Sequence, residues 1–303
     1  MRNCKKLPIF ATQSLYFMAF TFFLSNGRQV SFPTAQVMGI INVTPDSFYS
    51  GSRVADEADL RARIYNMVEA GAGMIDVGAY STRPDAAEVT PDEELSRLRW
   101  ALPVITEALS GTQVLVSVDT FRAHVAEVCV TELGAHIIND VSGGTLDVGM
   151  FDVVARTRAP YIMMHMRGTP QTMQSLTDYP DGVYAEVKRF FGEQLSRLKA
   201  AGSHSSVILD PGFGFAKTLD QNYALMQALP RFAEDFPDFP LLVGISRKSM
   251  IYRLLGNDAE HALNGTAVLN TFSLMNGADI LRVHDVREAA EAVAIVGKLM
   301  NKA

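Results

Sequence analysis

The sequence predicts an α/β fold: a (β/α)8 TIM barrel forming a single domain, preceded by an N-terminal β-hairpin. Three observations lead to this prediction. Short apolar or β-branched runs alternate about eight times with longer helical patterns. No Pro-rich, Ser-rich or charged linker interrupts the alternation, and a length of 303 residues suits one barrel. Hydrophobic residues make up 48% of the chain, which is enough apolar material for a large core.

The first predicted element is the hairpin, which covers residues 20–32 (FTFFLSNGRQVSF). Asn26-Gly27 is typical of a type I′ turn between two β-prone runs. The largely apolar stretch 7–24 also resembles a short signal or anchor, but polar residues within it weaken that interpretation. We therefore predict a poorly ordered N-terminal extension over residues 1–17, followed by the barrel domain over residues 18–303, and no membrane partner.

The eight predicted strands are short apolar runs, typical of parallel strands that are buried on both faces. They are VMGIIN (37–42), MIDV (74–77), VLVSVD (114–119), HIIN (136–139), YIMMH (161–165), VILD (207–210), LLVGI (241–245) and ILRVH (280–284). The intervening segments, such as ADLRARIYNMVEAGA, have helical apolar spacing and end near Gly. An open doubly wound sheet would give the same pattern, but it usually has a glycine-rich phosphate loop after its first strand. Here the first strand leads into Asn42-Val43-Thr44-Pro45, which favours the barrel.

Composition narrows the function classes and the compartment. The formal net charge is −6 and the chain has no basic stripe, so nucleic acid is not a predicted partner. The two cysteines, Cys4 and Cys129, form no CxxC motif and indicate neither a disulfide framework nor a zinc site. A reducing compartment suits this usage, so we predict a cytoplasmic protein.

Polar residues end nearly every predicted strand. They are Asn42, Asp76, Asp119, Asn139, His165, Asp210, the Ser246-Arg247-Lys248 run, Arg282 and His284. The carboxyl ends of barrel strands meet at one mouth, so this clustering predicts a ligand site there. A salt-bridged rim without catalysis is the alternative.

The residue types at this mouth divide into two groups. The first group has short donors and acceptors that suit the edge of a flat heterocycle with amide-like and amino groups: Asp119, Asn139, Asp210 and Lys248. The second suits an anionic phosphate-bearing group and a hard cation: Arg83, Arg282 and His284, with Asn42 as an oxygen donor.

Seven motifs resemble those of the dihydropteroate synthase family over about residues 36 to 300. They are MGIINVTPDSF, DVGAYSTRP, SVDTF followed by IINDVSGG, DPGFGFAK, GISRKSM and RVHDV. The resemblance implies a transferase of folate biosynthesis that condenses (7,8-dihydropterin-6-yl)methyl diphosphate with 4-aminobenzoate, giving 7,8-dihydropteroate and diphosphate. It also implies Mg²⁺ as cofactor, a homodimer formed through barrel helices, and a target of sulfonamides.

The resemblance also implies roles for individual residues. The pterin pocket would contain Asp119, Asn139, Asp210 and Lys248, with Met164 and Phe215 along it. Asn42, as metal ligand, would lie by the diphosphate together with Arg282 and His284. Thr82 and Arg83 would lie on a mobile loop near the diphosphate and the second substrate, and Ser246 and Phe48 would border the aminobenzoate site. The catalytic set implied is Asp119, Asp210, Lys248 and Arg83.

Two other functions remain open at this point: a corrinoid-linked pterin methyltransferase and a non-catalytic pterin-binding paralogue. The complete STRP and SRK motifs, with Arg83, Arg282 and His284 all retained, favour the synthase. The loops over residues 44–53 and 79–88 are predicted lids. Ala79, Tyr80 and Asp85 depart from the commonest family wording, so the loop near the aminobenzoate site is expected to differ in detail.

Overall fold

A computed structural model describes residues 19–43, 56–80 and 89–300. The predicted extension over residues 1–17 lies outside the described residues, and the predicted domain boundary at residue 18 stays a prediction. Most of both predicted lid loops lie outside them as well, together with Phe48, Thr82 and Arg83.

The predicted hairpin is present, with an antiparallel pair formed by β1 (Phe20–Phe23) and β2 (Gln29–Phe32). Its predicted type I′ turn is wrong, because that turn needs positive φ at Asn26 as well as at Gly27. Only Gly27 is positive, at φ +80°, and its N–H donates to the Leu24 carbonyl at 2.8 Å. The connection is therefore a turn followed by one left-handed glycine.

The eight predicted strands are confirmed and form one parallel sheet. They are β3 (Gln36–Asn42), β4 (Met74–Gly78), β5 (Leu115–Asp119), β6 (Ile137–Asp140), β7 (Tyr161–Met164), β8 (Val207–Asp210), β9 (Leu242–Val243) and β10 (Ile280–Val283). The strand order is β8-β7-β6-β5-β4-β3-β10-β9, and a parallel bridge between Leu209 and Leu241 brings the two edge strands together. The sheet therefore curls into a nearly closed barrel.

Helices connect successive strands and surround the barrel. They are α1 (Glu57–Glu69), α2 (Pro91–Ala108), α3 (Ala123–Thr131), α4 (Met150–Thr157), α5 (Val183–Ala200), α6 (Leu219–Gln227), α7 (Leu229–Asp235), α8 (Ser249–Leu255), α9 (Leu263–Met275) and α10 (Val286–Met300). Local chemistry sets several boundaries: Thr218 and Gln221 form a capping box at α6, and left-handed Gly256 ends α8. None of the helices in the described part of the chain could span a membrane.

The interior of the barrel is built in layers, because side chains two residues apart on a strand face the same way. The lowest layer is apolar and packs with Phe20, Phe22 and Phe32 of the hairpin, which closes the amino end of the barrel. Its strand residues are Met38, Met74, Leu115, Ile137, Ile162, Ile208, Leu242 and Ile280.

The next inward layer is mostly polar. It consists of Ile40, Asp76, Ser117, Asn139, Met164, Asp210, Gly244 and Arg282. The layer above it, at the carboxyl ends, contains Asn42, Gly78 and Asp119 in the strands and Ser246 and His284 just after them. Buried polar groups are costly unless they have partners, so these two layers mark the part of the barrel that was not selected for packing alone.

Candidate active site

A cavity of about 900 Å³ opens at the carboxyl ends of the strands. Seven of the predicted site residues line it: Asn42, Asp119, Phe215, Ser246, Lys248, Arg282 and His284. The other three predicted site residues that the structure describes are Asn139, Asp210 and Met164, all buried among the strand ends at the same mouth. The structure thus brings together residues that are up to 242 positions apart in the sequence, from Asn42 to His284.

Strand register and two glycines create the space for this cavity. Asn42 pairs with Gly78, Gly78 with Asp119, and Asp119 with Asn139, so the four residues form one row across β3 to β6. A Cβ at Gly78 would lie 3.5 Å from the Asn42 Oδ1 and 3.8 Å from the Asp119 Oδ2. At Gly244 a Cβ would lie 3.9 Å from the Asp210 Oδ2. Because both residues lack a side chain, space is left beside these polar atoms on the cavity wall.

Arg282 lies at the centre of an ion-pair network inside the barrel. Its Nη2 is 2.6 Å from the Asp76 Oδ2 and 2.7 Å from the Asp119 Oδ2, and its Nε donates to Asp76 at 2.7 Å. The Asn139 Nδ2 donates to the same Asp76 oxygen at 2.9 Å. The two groups of residues predicted from the sequence are therefore joined, because Arg282 of one group pairs with Asp119 of the other.

Asp76 is the residue that sequence reasoning left without a role. Its side chain is fully buried and orients both Arg282 and Asn139. The signal that could have found it is its position two residues after Met74 on the same strand, which places it on the inner face of the barrel. A fully buried carboxylate at such a position needs a cation nearby.

The charges in this network are shifted by burial. Burial raises the pKa of Asp119 to about 7, against the opposing effect of the Arg282 cation. Burial alone would lower the pKa of Arg282, but the Asp76 and Asp119 carboxylates raise it. Arg282 is therefore a permanent cation at the cavity wall, whereas Asp119 changes its charge near neutral pH.

Asp210 and Lys248 are held by the turn that follows β8. The Asp210 Oδ1 accepts a hydrogen bond from the Gly212 N–H at 2.8 Å, and burial raises the pKa of this carboxyl while the Lys248 cation opposes the rise. The Lys248 Nζ donates to the Phe213 carbonyl at 2.6 Å and lies 4.7 Å from the centroid of the Phe215 ring. Burial lowers the pKa of Lys248 to about 8, so most of it is protonated at pH 7.

Ser246 and His284, which follow the neighbouring strands β9 and β10, form a hydrogen-bonded pair on the cavity wall. The His284 N–H donates to the Ser246 Oγ at 3.1 Å, and the same Oγ lies 3.1 Å from the His284 Nδ1. Burial, assisted by the Arg282 charge, lowers the pKa of His284 to about 4. His284 is therefore a neutral imidazole at pH 7, and it can offer an anion a hydrogen bond but no charge.

Arg247, between Ser246 and Lys248, fixes the turn that carries both. Its backbone is left-handed at φ +54°, which is uncommon for a residue with a side chain. Its guanidinium makes a two-point contact with the Asp285 carboxylate, with both distances at 2.8 Å, and also donates to the Ala259 and Glu260 carbonyls. This anchoring lets the two neighbouring side chains face the cavity.

The rim of the cavity carries an aromatic cluster. Tyr80 lines the cavity and packs edge-on against Phe121, with the ring centroids 5.2 Å apart. The Arg122 guanidinium carbon lies 5.2 Å from each centroid and is ion-paired with the buried Glu94. Tyr80, one of the positions expected to depart from the commonest family wording, thus presents an aromatic ring to the cavity.

The donor set for a metal ion is small. The described residues contain no group of three or more His, Cys, Asp or Glu side chains that could hold one. Asn42, at the end of β3, places its Oδ1 beside Gly78 on the cavity wall. Mg²⁺ keeps several waters and binds through one or two protein oxygens plus substrate phosphates, so a single amide oxygen here fits that ion.

Comparison with known proteins agrees with this geometry. The family model described as "Pterin binding enzyme" matches residues 38–284. The chain belongs to this family. Its similarity to the dihydropteroate synthase of Escherichia coli K12 is 42% identity over 273 residues, covering 90% of this chain and 94% of the relative. The chain is an enzyme, a transferase of the dihydropteroate synthase type.

Solved structures show the same barrel. The dihydropteroate synthase of Yersinia pestis, in a sulfonamide drug complex, superposes with a TM-score of 0.83 at 39% identity, covering 93% of this chain and 98% of the other. That of Thermus thermophilus, in complex with 4-aminobenzoate, gives a TM-score of 0.79 at 36% identity, with coverage of 92% and 100%.

Proposed function

We propose that the chain condenses (7,8-dihydropterin-6-yl)methyl diphosphate with 4-aminobenzoate, forming 7,8-dihydropteroate and releasing diphosphate, as a step of folate biosynthesis. The observation that carries this proposal is the polar layer inside the barrel. Asp76, Asn139 and Asp210 are buried there close to Arg282, which lines the cavity together with Lys248. Such a layer suits a flat, polar-edged ring with an anionic substituent.

Pterin recognition falls to the deeper side chains. The Asp210 carboxylate would accept hydrogen bonds from the amino group and the ring N–H of the pterin. Asn139 and Asp119 would hydrogen-bond to the other polar atoms on the edge of the ring. Lys248, already hydrogen-bonded to the Phe213 carbonyl, would donate to a ring acceptor. Met164 and Phe215 would provide apolar surface for the ring faces.

The bond changes need no covalent enzyme intermediate. The bond between the pterin methylene carbon and the diphosphate oxygen breaks, and the aminobenzoate nitrogen forms a new bond to that carbon and loses one proton. Positive charge that spreads into the pterin as the leaving group departs is offset by Asp210 and Asp119, an interaction that is stronger in the transition state than in the ground state.

The departing diphosphate would be stabilised by the second group of residues predicted from the sequence, which includes Arg282, His284 and Asn42. Arg282 would supply a fixed positive charge, and neutral His284 would donate a hydrogen bond. Asn42 would hold Mg²⁺, which when bound neutralises charge on the diphosphate oxygens. Arg83, in the STRP motif, is assigned to the same anion on the resemblance alone.

The aminobenzoate site is assigned to Ser246, Phe48 and Thr82. Ser246 is the member that the structure describes, and its Oγ lies on the cavity wall. Because the Y. pestis relative is solved in a sulfonamide complex, we propose that this site also takes sulfonamides. Tyr80 is expected to modify that response through its ring at the rim.

We further propose a cytoplasmic homodimer. Exposed apolar side chains on α9 and α10, two helices that pack on each other, provide the dimer surface: Val268, Phe272, Met275, Ile295 and Leu299. Cys129 is a buried free thiol whose pKa burial raises to about 12, in keeping with a reducing compartment.

The test is a product assay with purified protein, Mg²⁺ and both substrates. We expect 7,8-dihydropteroate and diphosphate in equal amounts, and neither when 4-aminobenzoate is omitted. A protein that binds the dihydropterin diphosphate yet forms no product would indicate the non-catalytic paralogue. Methyl transfer to a corrinoid without diphosphate release would indicate the methyltransferase.

A further inference from the structure

The turn over residues 210–217 is conformationally demanding and carries much of the pterin side of the cavity. Three of its residues are left-handed: Gly212 at φ +70°, Gly214 at φ +83° and Ala216 at φ +50°. A Cβ at position 212 would lie 2.0 Å from the His165 carbonyl oxygen, so only glycine fits there. A turn of this shape needs specific contacts to hold it in place.

Lys217 supplies those contacts from inside the turn. Its Nζ donates to the Gly212 carbonyl at 2.9 Å and the Phe215 carbonyl at 3.0 Å, and it lies 2.9 Å from the His165 Nδ1. The lysine is buried at 4% exposure, and its three hydrogen-bond partners are neutral. Burial lowers its pKa to about 7, and Asp210 supplies the main opposing charge.

The surroundings of His165 make its Nδ1 the hydrogen-bond acceptor for this lysine. Its ring is fully buried and packs edge-on against Phe190, with the centroids 5.0 Å apart. Because the Nδ1 faces an ammonium donor, the proton of the neutral ring belongs on Nε2, which has no partner among the described residues. Burial and the Lys217 charge hold the pKa of His165 well below its usual range.

The same short turn places three groups on which the proposed function depends. The Gly212 N–H orients the Asp210 carboxylate, the Phe213 carbonyl accepts from Lys248, and the Phe215 ring faces the Lys248 ammonium. Lys217 bonds the carbonyls on either side of Phe213 and Gly214, so a shift of its Nζ would move all three groups together.

Resting on the proposed function, we propose that Lys217, hydrogen-bonded to His165, is a positioning residue for the dihydropterin. It holds the 210–217 turn in the conformation in which Asp210, Lys248 and Phe215 contact the pterin ring together. A purely structural role would be better served by an apolar side chain, since an ammonium without a carboxylate contact is expensive to bury.

The first test compares Lys217→Met with Lys199→Met, which removes an exposed lysine from α5. In the Lys217 variant we expect the KM for the dihydropterin diphosphate to rise about 10- to 100-fold, the cost of a displaced binding group, with the KM for 4-aminobenzoate changed less than about threefold. The Lys199 variant should match the wild type. A wild type that makes no dihydropteroate would refute the proposed function instead, so the two failures are distinguishable.

A second test restores the missing ammonium. Lys217 lines the cavity, so Lys217→Ala leaves a channel that n-propylammonium can enter. We expect the added amine to lower the KM for the dihydropterin diphosphate in a saturable way, whereas n-propanol does not. An equal response to both additives would overturn the positioning role.

His165 variants keep the inference testable if the Lys217 variants fold poorly. His165→Phe keeps the ring contact with Phe190 but removes the acceptor, and His165→Asn retains an acceptor near the Nδ1 position. We expect the pterin-specific rise in KM in the first and partial recovery in the second. Folded His165→Phe with a wild-type KM, or equal KM changes for both substrates, would contradict the proposal.

Discussion

Asp119 and Lys248 have pKa values on either side of the physiological range, at about 7 and about 8. As an acceptor Asp119 must be ionised, so its contribution to pterin binding should grow as the pH rises through about 7, while loss of the Lys217 charge over the same range should act against it. As a donor Lys248 must be protonated, so binding should weaken again above about 8. The measurement is the Kd of 6-hydroxymethyl-7,8-dihydropterin from pH 5.5 to 9.5. This ligand has no diphosphate, so ionisation of a diphosphate does not contribute to the pH profile.

The control for this profile is Asp119→Asn, which should change the acidic limb to the part that Asp210 contributes and keep the alkaline limb. Lys248→Met should do the reverse. A Kd that stays constant across the range in the wild type would show that neither residue contacts the ring.

Arg282→Lys separates leaving-group stabilisation from pterin binding. A lysine keeps a positive charge near Asp76 and Asp119 but loses the forked donor geometry of arginine. We expect kcat to fall about 10- to 100-fold, while the Kd of the pterin alcohol changes less than about threefold. Equal losses in both quantities would assign Arg282 to the ring instead of the diphosphate.

Sequence reasoning predicted seven of the residues that line this cavity, because polar residues at strand ends are visible as a pattern. Asp119, Asp210, Lys248 and Arg282 all follow from that pattern and from the motifs. The role of Asp76 did not, since its partner Arg282 is 206 positions away and only barrel closure makes them neighbours. Lys217 was equally hidden, because its partner His165 lies 52 positions away, at the end of the neighbouring strand.

At the scale of single elements, the hairpin acts as the floor of the barrel. Phe22 is fully buried against the lowest interior layer, whereas Phe23 on the same strand is 56% exposed. We expect Phe22→Ala to lower the free energy of unfolding by about 3–5 kcal/mol and Phe23→Ala by less than about 0.5 kcal/mol. Urea denaturation measures both values.

Activity provides the control for this pair. The hairpin closes the end of the barrel opposite the cavity, so kcat per folded molecule should be unchanged in Phe22→Ala at temperatures where it stays folded. A loss of kcat without a loss of stability would contradict this expectation, because it would mean that the hairpin affects the geometry of the active site.

The elements themselves were well predicted, because continuous apolar runs between amphipathic helices are a strong signal for parallel strands. The hairpin turn was predicted with the wrong type, since Asn-Gly is compatible with more than one connection and the choice depends on how the strands twist onto the barrel floor. The short β9, with two residues in place of the predicted five, reflects the turn over residues 245–248 that presents Ser246 and Lys248 to the cavity.

For the whole molecule, the proposed dimer surface makes a direct prediction. Val268→Glu combined with Ile295→Glu places two charges on the apolar faces of α9 and α10. We expect the wild type to sediment at twice the chain mass of 33.2 kDa and the double variant at 33.2 kDa. Tyr65→Glu, at an exposed aromatic on α1, is the matched control and should remain dimeric. A monomeric wild type would contradict the proposal.

The most direct test of the account is a crystal structure of the chain with Mg²⁺ and a non-reactive analogue of the dihydropterin diphosphate. The account predicts the ring edge within hydrogen-bond distance of Asp210, Asn139 and Lys248, with the diphosphate beside Asn42, Arg282 and His284. A ring bound at the outer rim, near Arg253 and Asp258 of the same cavity, with the polar layer left without contacts to it, would contradict it.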